Sequence, residues 1–62
     1  MNIRRAREQR GWSQEELADR SGIHRTYISG VERGARNPTL SIIEKIAATL
    51  NLTTAQLLEE RL

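Results

Sequence analysis

The sequence contains no cysteine. That absence excludes a disulfide framework and any thiolate metal site, and nothing points to an oxidising compartment. The single histidine, His24, has no cluster of carboxylates beside it and makes a poor metal ligand set. Ser13, Asp19 and His24 supply the letters of a catalytic triad, but nothing in a helical hairpin aligns them and no oxyanion hole is suggested. No catalytic residue and no enzymatic activity are expected. No run of about 18 apolar residues occurs, which removes a transmembrane helix. The charged N-terminus lacks the apolar stretch of a signal peptide. Phenylalanine is absent, and Trp12 and Tyr27 are the only aromatic residues. A chain of 62 residues buries a modest share of its surface, so it should be compact, ideally helical, and helped by oligomerisation. The expectation is one soluble cytoplasmic domain over 1–62, with no metal, cofactor, small-molecule ligand or membrane contact.

What is present is arginine, unevenly placed. Residues 1–37 hold eight arginines against five acids, a balance of +3. Residues 38–62 hold Lys45 and Arg61 against Glu44, Glu59 and Glu60, a balance of −1. A basic front half suits a polyanionic partner, although a solubilising surface has the same composition.

Apolar spacing predicts five short helices and no strand. The first covers about 2–10, with Ile3 and Ala6 inward and Gly11 in a left-handed cap. Trp12 is expected in the core, as the largest apolar group available. Ser13-Gln14-Glu15-Glu16 reads as a capping box opening a second helix to about Ser21, with Leu17 and Ala18 inward. A third helix runs from His24 or Arg25 to about Arg33, stopped by Gly34, and Pro38 bars helix from Asn37. A fourth begins near Thr39, with Leu40, Ile43, Ile46, Ala47 and Leu50 as one stripe. Thr53-x-x-Gln56 is a second capping box, leading to Leu57, Leu58 and Leu62, which are expected to serve both core and dimer contact.

The segment RTYISGVERGAR at 25–36 is unusual for a solvated helix. On a wheel of about 100° per residue, Ile28 and Val31 define one side. Arg25, Thr26, Ser29, Gly30 and Arg33 gather on the other, with Tyr27 on the border. That face suits a DNA major groove. Arginine can bond guanine O6 and N7 together, threonine offers a hydroxyl and a methyl, and small residues at 29 and 30 would let the backbone sit deep. Glycine inside a helix costs about 1 kcal/mol relative to alanine, and close approach to DNA or to another helix is a reason to tolerate it. Residues 14–33 together form a helix-turn-helix pattern, with Leu17, Ile23, Ile28 and Val31 apolar, Ala18 small at the crossing, and Gly22 in the turn.

GWSQEELADRSGIHRTYISGVERGARNPTL resembles the helix-turn-helix of the Xre/Cro-type phage repressors, and is similar in particular to the controller proteins of restriction–modification systems. LSIIEKIAATLNLTTAQLL matches the rest of that pattern. The resemblance implies an all-α, compact five-helix lambda-repressor-like domain that binds palindromic double-stranded DNA as a homodimer and regulates transcription. It implies base contacts from Arg25, Thr26 and Ser29 on a recognition helix at about 24–33. It implies DNA-backbone contacts from Gln14, Tyr27, Arg33, Arg36 and Asn37, and a structural salt bridge between Arg7 and Glu32. Gly30 departs from relatives that carry a long base-reading side chain there, which implies more reliance on DNA shape. Open alternatives remain residue by residue: Ser13 as a cap alone, Arg36 as a wet loop arginine, and Tyr27 as hairpin packing. The alternative for the whole domain is a protein-interaction module, such as an antitoxin using the same fold.

Overall fold

Most helix starts and stops have an identifiable chemical cause. The computed structural model describes residues 1–59, and they form α1 (Ile3–Gln9), α2 (Gln14–Ser21), α3 (Arg25–Glu32), α4 (Leu40–Thr49) and α5 (Thr54–Leu58), with no strand among them. Asn2, Ser13, Thr39 and Thr53 cap α1, α2, α4 and α5 by accepting the amide three residues on. α3 begins after His24 without a side-chain cap. At Thr53 the reciprocal bond is also made, from the Thr53 amide to Gln56 Oε1 at 2.8 Å. At Ser13 only half of the expected box forms. The hydroxyl accepts from the Glu16 amide at 3.0 Å, but the Glu16 carboxylate turns to Arg20 Nε at 2.7 Å. The carboxylate is taken instead by an i,i+4 ion pair on the exposed face of α2. Ser13→Ala should therefore cost about 1 kcal/mol and lower Tm by about 4–8 °C in a thermal melt. An unchanged Tm would show that the Glu16 amide needs no cap.

The C-termini of α1, α3 and α4 share one closure. At α3 the Ala35 amide bonds the Gly30 carbonyl at 2.8 Å and the Gly34 amide bonds the Val31 carbonyl at 3.1 Å, with Gly34 at φ +76°. This is a Schellman turn, which satisfies carbonyls that the helix end leaves open. Asn51 performs the same reversal after α4 at φ 59°. Arg10 ties two of these ends together, donating from Nη1 to the Ala6 carbonyl at 2.9 Å and from Nη2 to the Leu50 carbonyl.

α2 packs on α3 and α4, and α4 packs on α5. Leu17, Ile28, Ile46, Leu50 and Leu57 are the large side chains fully buried between them, joined by Ile3 and Ala6 from α1. Several expectations are corrected here. Leu40 is 62 % exposed, because it is the first residue of α4 and lies beyond the layer built by Ile46, Ala47 and Leu50. Leu58 is 48 % exposed, one residue out of phase with the buried Leu57. Leu62 lies outside the described residues. Trp12 is only half-buried against the core, and the Arg20 guanidinium covers its ring at 4.4 Å from the centroid. No described helix is long and apolar enough to cross a membrane.

Candidate nucleic-acid interface

α3 has two chemically distinct sides. Ile28, Gly30 and Val31 are buried, while Arg25, Thr26 and Arg33 are exposed and Ser29 is half-buried. At about 100° per residue, Arg25, Ser29, Arg33 and Thr26 fall within an arc of about 100° whose centre lies about 140° round the helix from that of Ile28 and Val31. Gly22, at φ 72°, makes the turn that sets α3 across α2. The left-handed geometry would strain a residue bearing a Cβ.

The arginines of the first half divide by what holds them. Arg4 pairs with Glu8, Arg20 with Glu16 and Trp12, Arg10 with two carbonyls, and Arg7 with Glu32. Among the described residues, Arg5, Arg25 and Arg33 have no such intramolecular partner. Two of those three lie on the outer arc of α3, so the cations left unspent concentrate there. Glu15, Asp19, His24 and Arg25 line one open cleft, and Arg4, Glu8, Gln14 and Arg33 line another.

Arg7 and Glu32 form a bidentate pair, Nε to Oε2 at 2.9 Å and Nη2 to Oε1 at 3.1 Å, with side chains 10 % and 3 % exposed. Arg7 Nη1 also donates to the Trp12 carbonyl at 2.7 Å, and Gln14 Nε2 donates to Glu32 Oε1 at 3.1 Å. The pair thus joins α1, the loop before α2, the first residue of α2 and the last residue of α3. The hydrogen bond to Glu32 holds the Arg7 guanidinium above the usual arginine range, against the lowering effect of burial. A raised value means that its stabilisation is complete at neutral pH and is lost only as pH climbs through that range.

Gly30 does not open onto the outer face, contrary to the wheel. It is buried, and a Cβ there would meet Arg36 Cδ at 3.2 Å and Cγ at 3.3 Å. It sits on the flank of α3, where the chain folds back after Gly34. The Arg36 guanidinium continues to the Tyr27 ring, 5.2 Å from its centroid. Asn37 is exposed in the loop ahead of α4. Nothing in the spacing of Tyr27, Gly30 and Arg36 announces this stack, because the backbone reversal at Gly34 creates it. The Gln14–Glu32 bond was equally invisible, since it joins residues of two helices.

The sequence profile described as Helix-turn-helix matches residues 3–57. The chain belongs to the Xre/Cro-type helix-turn-helix family. This family member is 53 % identical to a hypothetical transcription factor of Neisseria meningitidis, over 98 % of its own length and 60 % of that protein. The crystal structure of that Neisseria factor superimposes with a TM-score of 0.87, covering 92 % of this chain and 66 % of that one. The restriction–modification controller protein C.AhdI of Aeromonas hydrophila is 45 % identical with a TM-score of 0.85, over 89 % of this chain and 83 % of that one. The biofilm master regulator SinR, solved in complex with DNA, is 34 % identical with a TM-score of 0.86, over 92 % of each chain. The Bacillus subtilis SinR protein is 35 % identical, and the match covers 95 % of this helix-turn-helix chain and 54 % of SinR. The chain therefore spans little more than half the length of some relatives that it matches.

Proposed function

We propose that this chain is a single helix-turn-helix domain over 1–62 that binds double-stranded DNA sequence-specifically, as a cytoplasmic regulator of transcription with no catalytic role. The observation that carries the reading is the partition of α3: apolar residues inward, and unpaired arginine with hydroxyls outward. An exposed apolar patch on that face would instead favour a protein partner such as an antitoxin's toxin. Membership of a family that includes a regulator solved with DNA supports the same choice.

In this reading α3 enters the major groove, and Arg25, Thr26 and Ser29 meet base edges. Gln14, Tyr27, Arg33, Arg36 and Asn37 meet the DNA backbone around it. Gln14 keeps one amide hydrogen and its carbonyl oxygen beyond its bond to Glu32, and it stands at the positive end of α2. Two copies would set their recognition helices about 34 Å apart on a palindromic site. The exposed Leu58 gives a second copy apolar surface to cover.

Selection from a random DNA pool, followed by salt titration of the recovered duplex, tests the reading. A palindromic winner whose affinity falls steeply with salt supports it. An absence of enrichment would direct the fold toward a protein partner. Arg36→Ala should weaken binding about tenfold on every sequence alike, and reduce the salt slope by about one. Titrating two unrelated duplexes checks this, and a sequence-dependent loss would move Arg36 to a base edge.

A further inference from the structure

A glycine in the middle of a helix needs a reason, and Gly30 lacks the common one. The positive-φ glycines are Gly11, Gly22 and Gly34, whereas Gly30 has ordinary helical backbone geometry. Alanine would be the better helix former at such a position. The remaining reason is close approach. The three atoms nearest to a Cβ built at Gly30 all belong to Arg36: Cδ at 3.2 Å, Cγ at 3.3 Å and Nε at 3.6 Å.

The backbone is joined at the same place. The Gly30 carbonyl accepts from the Ala35 amide at 2.8 Å and from the Arg36 amide at 3.2 Å. The far end of the side chain is also held, with the Arg36 guanidinium over the Tyr27 ring at 5.2 Å. Tyr27 is half-buried and packed against the core, so the ring is itself fixed. Arg36 is therefore docked at its amide, along its stem and at its charge. A free loop arginine must give up rotamer freedom when it grips a phosphate, and a docked one has already lost it.

We infer that Gly30 and Tyr27 are positioning residues that form a seat for Arg36, presetting its guanidinium beside the recognition helix for a DNA phosphate. The inference rests on the proposed DNA-binding function. Gly30 then acts through Arg36, by leaving room for its stem. It reads no base.

The test has one arm without DNA and one with it. In the free protein, ring current from Tyr27 should shift the Arg36 Nε–H NMR resonance upfield of the other exposed arginines. Gly30→Ala should return it to the exposed-arginine position. Tyr27→Phe should keep the shift and Tyr27→Leu should abolish it, which retains a test even if the Gly30 variant fails to fold. With random-sequence duplex DNA as the probe, Gly30→Ala should weaken binding by up to about tenfold, as the docked charge is displaced. It should lower the salt slope toward that of Arg36→Ala. In an Arg36→Ala background, Gly30→Ala should change nothing further. An unmoved resonance in Gly30→Ala, or losses that multiply in the double variant, overturns the seat. If the resonance moves but Arg36→Ala binds DNA as the parent does, the phosphate role of the seat is overturned. If the parent itself shows no salt-dependent DNA binding, the DNA-binding reading falls as well.

Discussion

Glu32→Ala is expected to destabilise the domain by about 3–5 kcal/mol, because it leaves the Arg7 guanidinium buried without its counter-charge. Glu32 accepts three hydrogen bonds, two from Arg7 and one from Gln14, and its side chain is 3 % exposed. All three donors would be left facing a cavity. Small domains are marginally stable, with about 0.05–0.15 kcal/mol per residue, so a loss of this size removes much of the folded population at room temperature. Urea or thermal unfolding followed by circular dichroism measures it. A Glu32→Ala variant melting within a degree or two of the parent would show the pair to be solvated. The comparison with Arg7→Met/Glu32→Leu is equally informative. Exchanging both charges for apolar groups leaves no unpaired charge, only the neutral Trp12 carbonyl and Gln14 amide without their partners, so the double variant should be more stable than either single truncation. It should nevertheless bind DNA less well, because Gln14 and α3 lose the bridge that fixes their relative position.

Arg25→Ala is expected to cost about 1–3 kcal/mol of specific binding and to relax preference at one base pair, with stability unchanged. Arg25 is the first residue of α3, it is exposed, and no intramolecular ion pair competes for it among the described residues. Its guanidinium can present two parallel donors to guanine O6 and N7, which no other base pair can match in the major groove. Binding to random-sequence DNA should fall much less than binding to the selected site, which separates this residue from Arg36. The measurement is a repeat of the random-pool selection with the variant. An unchanged base preference would sink the assigned register and move base reading to Thr26 and Ser29.

The two predictions differ in how far the chain itself foretells them. The outer arc of α3 is legible because helical periodicity is local: Ile28 and Val31 turned inward, and Arg25, Thr26 and Ser29 followed from the 3.6-residue repeat. The caps at Ser13 and Thr53 are legible for the same reason, being bonds within one turn. Periodicity also misled at two places. It put Leu40 in the core stripe, although a stripe does not say where the opposing layer ends. It put Gly30 on the open face, although a wheel shows only one helix and Arg36 arrives from the loop that follows.

Five helices, their boundaries and the division of α3 into an apolar and a donor side are thus properties of the sequence, decided by capping, glycine placement and apolar spacing over a few residues. Tertiary structure decided which arginines are consumed internally and which remain. Arg7 and Glu32 stand 25 positions apart, and Arg10 and Leu50 stand 40 apart. Their pairing depends on how α1 lies against α3 and α4. Tyr27, Gly30 and Arg36 meet only because Gly34 turns the chain back onto its own helix. A charge count treats these arginines alike. Packing separates them, because burial makes an unpaired guanidinium costly and so forces each inward one onto a partner. The outward ones on α3, Arg25 and Arg33, keep no intramolecular ion pair among the described residues.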